Sequence, residues 1–333
     1  MPRTEKYLDY STTNQRLPCN IQNTLKTISQ LWACRSLAFP ATLFLAVCIV
    51  FFSFPISTLA EESALDLRVG AWNLEHLDDS NDEGCVSRTN DDYAALAQRI
   101  EDLGLDVLAF QEVENLAAAR RVFSEKWNIE LSNRPVVSGP PCRENRNNRL
   151  GHLATGIAVR DGLEYHRNPD LTDLDVDHPS RRWGTDITII VDNEELRVLS
   201  VHLKSGCWSK REDTNVSKKA ACTTLREQIM VLKKWIAERH EDGQSYVIVG
   251  DFNRRFTAPD DWAWELLTEK VPTLALASNT KSSICNPKYP LFIDHIIFDS
   301  ATKVTMVPGS FKEVERVGKH PDHCAISAHF SSD

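Results

Sequence analysis

The sequence lacks several features that would each place the chain in a well-defined class. It has no excess of basic residues, because 38 Lys and Arg stand against 47 Asp and Glu and give a formal net charge of -9. This balance argues against a protein that coats nucleic acid. No Cys-X-X-Cys spacing is present, which argues against a zinc site, and no internal repeat or low-complexity linker divides the chain. The 333 residues have a hydrophobic share of 42%, which is normal for a globular protein with a sizeable core.

Charge is also absent from residues 36–60, SLAFPATLFLAVCIVFFSFPISTLA. Arg35 precedes this run, Glu61 follows it, and the segment 58–60 offers the small residues that a signal peptidase prefers. We therefore predict an export signal in residues 1–60. The alternative is an uncleaved N-terminal membrane anchor, because the run is long enough to span a bilayer. Both interpretations place the rest of the chain outside the cytoplasm, in the periplasm or the extracellular space.

Six of the nine cysteines follow the leader, and an even number of cysteines in an exported chain indicates disulfide bonds. Cys207 and Cys222 bracket a polar loop and are predicted to pair. For the other four cysteines we favour one of the possible pairings, namely Cys85–Cys142 with Cys285–Cys324.

Hydrophobic periodicity predicts an α/β chain without internal boundaries, and we treat residues 61–333 as one domain. Helical spacing predicts helices at 91–103, 115–126 and 220–239, and a short helix around Trp262 and Trp264. Asp192-Asn193 predicts a hairpin turn between two alternating segments. Strands are predicted at 67–72, 106–111, 153–160, 185–191, 196–202, 246–250 and 291–298, and after His323.

The stretch YVIVGDFNRRF, residues 246–256, organises the rest of the chain. A short apolar strand runs directly into Asp251, Phe252 and Asn253. Residues two apart on an extended chain lie on the same face, so the carboxylate and the carboxamide can converge on one target while Phe252 points into the core. Gly250 would let another group approach the backbone closely.

Polar side chains stand at the ends of other predicted strands as well. Each of them has an ordinary interpretation, such as a turn residue, a helix cap or a core histidine with satisfied hydrogen bonds. It is improbable that all of these ordinary interpretations hold at once in one chain. Ligands often bind where loops follow the ends of strands, so a shared binding site is the better interpretation. The set comprises Asn73, Glu112, His202, Asp251, Asn253, Asp294, Asp322 and His323.

The segments WNLEHL, FQEVEN, SVHLKS, GDFNRRF, IDHIIF and PDHCAISAHF resemble, in this order, the motifs of the endonuclease/exonuclease/phosphatase superfamily. This superfamily includes pancreatic deoxyribonuclease, exonuclease III and the neutral sphingomyelinases. The resemblance covers residues 67–331. It implies an α/β fold, a four-layered sandwich in which two mainly antiparallel β-sheets pack face to face with helices outside.

The same resemblance implies a divalent cation. Glu112 is the expected ligand for Mg²⁺ or Mn²⁺, Asn73 would share the metal or hold a phosphate oxygen, and Asp322 is available to a second ion. A structural Ca²⁺ is a further candidate. The family often has Ser before its final Asp-His, and Pro321 stands there in this chain, which removes a hydroxyl and a backbone donor.

Catalytic roles carry over by position. His323, oriented by Asp294, is the expected base, because a carboxylate partner fixes the imidazole tautomer and raises its basicity. His202 would donate to the leaving group or hold the phosphate. Asp251 and Asn253 would align the water and stabilise the transition state.

Basic residues adjoin the motif loops although the whole chain is acidic, an arrangement that suits a polyanion with several phosphates. Arg149, Lys204 and Arg254 are the predicted phosphate-binding residues. We therefore expect a secreted, monomeric, metal-dependent phosphodiesterase, a nuclease that acts on DNA, RNA or both. The membrane would be involved only through an N-terminal anchor.

Two alternatives remain at this stage. A sphingomyelinase-like or phosphoinositide-cleaving enzyme would need an aromatic, apolar loop that docks on a membrane, and Trp208 is the one candidate seen for it. In a non-catalytic surface binding module, some of the polar residues at the strand ends would be replaced, and the sequence shows no such loss.

Overall fold

The computed structural model describes residues 64–81, 84–143, 145–208, 216–316, 318 and 321–332, without the side chains of 216–218. All of them belong to one unit, Leu59–Asp333. The predicted export segment, residues 1–60, lies outside the described residues. Within the described part, no helix is long and apolar enough to cross a membrane.

Thirteen strands and four α-helices make up the described chain, with one short 3₁₀ helix at Thr172–Asp175. The helices are α1 (Asn90–Asp102), α2 (Leu116–Arg120), α3 (Val216–Glu241) and α4 (Trp262–Thr268). The strands are β1 (Asp66–Leu77), β2 (Val107–Val113), β3 (Trp127–Leu131), β4 (Ala154–Arg160), β5 (Glu164–Arg167), β6 (Thr185–Val191), β7 (Glu194–His202), β8 (Tyr246–Asp251), β9 (Leu274–Leu276), β10 (Asp294–Asp299), β11 (Val304–Met306), β12 (Lys312–Val314) and β13 (Ala325–Ser332).

These strands form two sheets. The first has the order β11-β13-β1-β2-β4-β3, with β12 also paired to β13, and the second has the order β5-β6-β7-β8-β10-β9. Each sheet contains one parallel pair, β1 with β2 and β7 with β8, and every other pair is antiparallel. Helices α1 and α3 make the two crossovers that a parallel pair requires.

The two sheets pack face to face, and the helices cover their outer faces. Val247 and Val249 of β8 belong to a core that takes residues from both sheets, whereas Ile248 of the same strand packs under α3. Helix α1 buries Leu96 and Ile100 against the other sheet. Both faces of the central strands are therefore covered, which explains their continuous apolar runs. The four-layered sandwich predicted from the sequence is confirmed.

Most predicted elements are present, and the main error lies between 115 and 131. The predicted helix 115–126 is helical only at Leu116–Arg120, where the Asn115 side chain accepts from the Ala118 N–H at 2.9 Å. The chain then turns and enters β3, an edge strand whose half-buried residues carry little alternation. The predicted hairpin between β6 and β7 is confirmed, with φ of 48° at Asp192 and 69° at Asn193, the left-handed values of a tight hairpin turn.

Candidate active site

The polar residues predicted from the sequence meet where the two sheets adjoin. The carboxyl ends of β7 and β8 lie at one edge because the strands are parallel, and His202 pairs with Asp251 there. Strand β10 is antiparallel to β8, so its first residue, Asp294, pairs with Asp251 at the same edge. In the other sheet β1 and β2 are parallel and bring Asn73 and the end of β2 together. The directions of these strands therefore place the side chains together.

Asp251 lies at the centre of this cluster and is 2% exposed. One carboxylate oxygen accepts from the Asn253 N–H at 2.8 Å, and the other accepts from Asn253 Nδ2 at 2.9 Å and from Asn73 Nδ2 at 3.2 Å. Asn253 turns back onto Asp251 with a φ of 52°. Burial raises the pKa of Asp251, and the negative charges of Asp294 and Glu112 add to the rise against the opposing effect of His323.

The glycine before Asp251 is required by close packing between β7 and β8. Gly250 has a φ of 137°, and a Cβ there would lie 2.1 Å from the carbonyl oxygen of Val201. No side chain fits this gap, so Gly250 allows the close backbone approach expected from the sequence. Phe252 is fully buried and packs against Phe256, with ring centroids 5.3 Å apart.

Glu112 faces Asp251 from the other sheet. It adopts a left-handed backbone conformation with a φ of 63°, which is uncommon for a residue with a side chain. Its carboxylate lies 3.3 Å from Asn73 Nδ2, 3.1 Å from His76 Nε2 and 3.7 Å from His202 Nε2. Burial favours the neutral form of Glu112, but the His76 hydrogen bond and the electrostatic effects of the neighbouring His202, His76 and Arg182 side chains outweigh it, so the pKa of Glu112 lies well below its ordinary value.

The two histidines have opposite electrostatic environments. His323 Nδ1 lies 2.7 Å from Asp294 Oδ2; burial lowers the pKa of His323, but the Asp294 charge and hydrogen bond, with Asp251 and Asp322, raise it well above its ordinary value. Burial and the charge of Arg182 hold the pKa of His202 well below its ordinary value. His323 therefore holds its proton more tightly than His202 does.

The donor set fits a hard divalent cation. Two carboxylates, Asp251 and Glu112, approach the same amide nitrogen of Asn73, and like charges brought this close favour a cation between them. Asp251, Asp294 and His323 offer three ligand atoms within 4.8 Å of one another. The buried Oδ1 of Asp294 has no hydrogen-bond partner among the described residues, and oxygen-rich sites of this kind suit Mg²⁺ or Mn²⁺.

Asp322 lies at the rim of the cluster, not within it. Its side chain is 61% exposed, and its Oδ1 lies 3.8 Å from His323 Nε2. Although Pro321 replaces the usual Ser, the Asp322 N–H still donates to Glu75 Oε2 at 2.8 Å. This bond ties the last motif to the first.

Two residues that sequence reasoning missed support the Glu112 side of the site. His76 contacts Glu112, and Glu75 and His76 both adopt a positive φ, 45° and 50°. The buried guanidinium of Arg88 holds this strained segment by donating to the carbonyl oxygens of Leu74, Glu75 and His76 at 2.9, 2.6 and 3.1 Å. The position of His76 inside the first motif was a usable signal, whereas nothing in the sequence marks Arg88.

The structure does not bring all three predicted phosphate-binding residues to the site. Arg254 is 2% exposed, its Nε lies 2.7 Å from Asp261 Oδ2, and its Nη1 donates to the Cys207 carbonyl at 2.9 Å. Its guanidinium is therefore committed to the interior. Arg149 is exposed and its Nε donates to Ser138 Oγ at 3.1 Å; it lines a separate cavity beside Glu114.

Lys204 does lie beside the cluster, in a cavity of about 360 Å³ that it shares with Arg134, Arg181 and Arg182. We call these four residues the basic groove. Burial and then the charge of Arg182 lower the pKa of Arg134 to about 10, and burial with the charges of Arg182 and Arg181 lowers the pKa of Lys204. Arg182 has no hydrogen bond or ion pair to a described residue, and it faces Glu112 and Asp251 electrostatically. Crowded cations of this kind favour a bound anion.

The three predicted disulfides are confirmed, Cys85–Cys142, Cys207–Cys222 and Cys285–Cys324. Two of them border the site. Cys324 directly follows His323, and Cys207 closes the loop that begins after His202.

Comparisons with known proteins agree with this fold. The model of the Endonuclease/Exonuclease/phosphatase family matches residues 70–310. A comparison with curated proteins finds no match.

Similar solved structures include the human Nocturnin catalytic domain with bound sulfate anion, at 14% identity and a TM-score of 0.56, covering 80% of this chain and 94% of that one. TDP2 from C. elegans is 16% identical, with a TM-score of 0.52 and coverage of 80% and 75%. D. rerio TDP2 complexed with single strand DNA product is also 16% identical, with a TM-score of 0.50 and coverage of 80% and 98%. At these identities the likeness shows a shared fold.

Proposed function

Because the chain belongs to the endonuclease/exonuclease/phosphatase family, whose members are phosphoester hydrolases, we propose that it is a secreted, metal-dependent nuclease that hydrolyses phosphodiester bonds of DNA or RNA. One observation carries the proposal. The carboxylates of Asp251 and Glu112 and the imidazoles of His202 and His323 surround one small volume. Arg182 of the basic groove interacts electrostatically with both carboxylates.

The cation would be held by Glu112 and Asp251, with Asn73 beside them, and Mg²⁺ or Mn²⁺ would neutralise charge on the phosphoryl oxygens. Asn73 Oδ1 already accepts from the Glu75 N–H at 3.0 Å, which fixes its amide. The closeness of Asp251 and Glu112, whose carboxylates approach the same amide nitrogen of Asn73, supports this proposal, since a cation between two carboxylates relieves their repulsion.

The histidines would divide the proton transfers. The surroundings raise the pKa of His323 and lower the pKa of His202, the reverse of the order expected for the predicted base and acid. A bound cation would lower the pKa of a nearby imidazole. With the cation in place, His323 could therefore lose its proton and act as the base. His202 Nε2, 3.4 Å from Asp251 Oδ2, would then donate a hydrogen bond to a phosphoryl oxygen. Asp251 and Asn253 would orient the attacking water.

The basic groove favours a polyanion over a small phosphate ester. A single phosphate needs few cations, whereas Arg182 and Lys204 line a groove of their own, where flanking phosphates of a strand would lie. Arg134 and Arg181 add positive charge to this groove while their guanidiniums donate to backbone carbonyl oxygens. A structure of similar fold, D. rerio TDP2, holds a single strand DNA product. Three disulfides support an oxidising compartment, as the proposed secretion requires.

The test is a substrate panel with the purified protein. Plasmid, linear duplex, single-stranded DNA, RNA and sphingomyelin vesicles are incubated with Mg²⁺, with Mn²⁺ or with excess EDTA, beside Asp251→Asn as the inactive control. We expect cleavage of at least one nucleic acid, loss in EDTA and loss in the variant. Turnover of sphingomyelin without any nucleic-acid cleavage would reassign the enzyme to lipid phosphodiesters.

A further inference from the structure

The proposed chemistry leaves unexplained a cavity of about 590 Å³ on the His323 side of the site. Its volume falls in the range of small-molecule sites. Its inner wall includes Asp294, Asp322 and His323, so it opens directly onto the candidate active site. The rest of its lining is mostly apolar or aromatic, including Leu291, Phe292, Ile293, Tyr289 and Trp208.

Two aromatic rings and one guanidinium form the outer wall. The Arg255 guanidinium carbon lies 4.6 Å from the centroid of the Trp208 ring and 5.5 Å from that of Tyr289. Trp208 remains 44% exposed and Tyr289 remains 48% exposed. Large exposed rings grouped beside a pocket usually mark a binding surface, and these three side chains present flat π faces and a positive charge together. We call them the aromatic platform.

Buried contacts hold the backbone of the aromatic platform in place. Cys207, which precedes Trp208, is fully buried and bonded to Cys222. The buried Arg254 donates to the Cys207 carbonyl, so the residue before Arg255 also fixes the backbone before Trp208. The third platform residue, Tyr289, follows a turn closed by its N–H bond to the Asn286 carbonyl at 2.8 Å.

The Tyr289 loop is tied to the catalytic motif in the same way. The Cys285–Cys324 disulfide joins this loop to the residue after His323. Glu313 accepts from Ser283 Oγ and from the Ile284 N–H, both at 2.6 Å, which holds the same loop on β12. Both sides of the platform are thus fixed relative to His323.

We propose that this cavity binds the nucleobase of a nucleotide next to the scissile phosphate, with the base stacked on Trp208, Tyr289 and Arg255. The inference rests on the proposed nuclease function. Aromatic rings and guanidinium planes are the surfaces on which unpaired bases stack. The positive charge of Arg255 also suits a phosphate attached to that nucleotide, which a purely apolar lipid pocket would not require.

A stacking site of this kind selects unpaired nucleic acid. In a duplex both faces of a base are covered by its neighbours, and extruding it costs unstacking energy. The enzyme is therefore inferred to prefer single-stranded DNA or RNA, or unpaired segments and ends, over intact duplex. Recognition by stacking is tolerant of sequence because every base has a π face.

The experiment compares two oligonucleotides with the full-length protein. One is a single-stranded oligothymidylate, and the other has the same length and phosphates but abasic sites in place of every base. Trp208→Ala and Tyr289→Ala should each raise KM about 10-fold on the first, the scale of stacking on one aromatic ring, and leave the second within about twofold. The wild-type protein should prefer the strand with bases, and this preference should fall in both variants.

Matched variants separate stacking from folding. Trp208→Phe keeps a ring and should raise KM less than Trp208→Ala does. Met230→Ala, at an exposed residue of α3, should change KM for neither substrate. Unaltered KM ratios in Trp208→Ala and Tyr289→Ala, with nuclease activity intact, would overturn the base site alone. A wild-type protein that cleaves neither oligonucleotide nor any other nucleic acid would overturn the proposed function as well. Loss of vesicle cleavage on Trp208→Ala would then identify the platform as a lipid contact.

Discussion

Asp294 and His323 form a carboxylate–imidazole pair across two different sheets. Asp294 begins β10 of the second sheet, His323 stands just before β13 of the first, and Nδ1 lies 2.7 Å from Oδ2. The pair thus connects the sheets at the site. It also sets which ring nitrogen of His323 faces the reacting centre, since Nε2 is left 3.9 Å from Asp251 Oδ2.

Asp294→Asn should lower the pKa of His323, because the Asp294 charge raises it while burial lowers it. Histidine NMR titration of the metal-free protein measures this change, and Asp322→Asn, at the exposed rim, is the control with a smaller shift. A raised histidine pKa stabilises the folded state fully below the unfolded value of about 6.5, and the stabilisation is lost as pH rises through the folded value. The stability difference between wild type and Asp294→Asn should therefore be largest below about pH 6.5. An unchanged His323 titration would contradict the pairing.

Replacing either histidine by Ala should reduce the rate about 10²–10⁴-fold, the range for a general acid or base. If His202 and His323 act in one step, the double variant should lose less than the product of the two single losses. The melting temperature should move little, because neither ring fills the core clusters. Wild-type activity in His323→Ala would refute the assigned site.

Mg²⁺ or Mn²⁺ should raise the melting temperature of the protein, since a ligand that binds only the folded state stabilises it. Asp251→Asn should abolish this shift, and it should not itself lower the melting temperature much, because a carboxylate with a raised pKa opposes folding when it is ionised. Glu112→Gln should also weaken the shift. Differential scanning fluorimetry with and without the cation gives this readout independently of activity. A full cation-induced shift in both variants would place the cation elsewhere.

Arg182 and Arg254 should give opposite phenotypes. Arg182→Ala should raise KM for oligonucleotides about 10-fold and reduce the slope of log K against log salt by about 1, as expected for one lost phosphate contact, with little change in melting temperature. Arg254→Ala should instead destabilise the fold by about 3–5 kcal/mol, because it leaves Asp261 buried and unpaired. Unfolding curves and salt-dependent binding distinguish the two. If Arg254→Ala raised KM for oligonucleotides without changing stability, Arg254 would bind phosphate after all.

The mature protein should contain almost no free thiols. Thiol titration of the denatured, unreduced chain tests the three disulfides, each of which contributes roughly 2–4 kcal/mol to stability. Reduction should affect activity more than expected from stability alone, because Cys285–Cys324 and Cys207–Cys222 fix loops beside the site. Six reactive thiols would contradict export to an oxidising compartment.

The sequence by itself predicted the fold class, the Cys207–Cys222 pair and the residues of the central cluster, because the motifs that carry them are local. For Cys85–Cys142 and Cys285–Cys324, which are 57 and 39 residues apart, the sequence only favoured one pairing, and the structure decided it. An apolar strand that ends in Asp251 or His202 can be recognised from a few residues. The order of the motifs then indicates which strand ends hold functional residues. The same locality allowed the β6–β7 hairpin to be predicted from Asp192-Asn193.

Only the tertiary structure decided which of two adjacent arginines serves which purpose. Arg254 and Arg255 are indistinguishable in the sequence, yet one is buried against Asp261 and the other lies between Trp208 and Tyr289. The grouping of Trp208 with Tyr289, 81 positions apart by the difference of their numbers, and the facing of Arg182 toward Glu112 depend on loop packing. Loop packing reflects long-range contacts that no short segment encodes. The opposite pKa shifts of His202 and His323 likewise follow from burial and neighbouring charges that exist only in the folded chain.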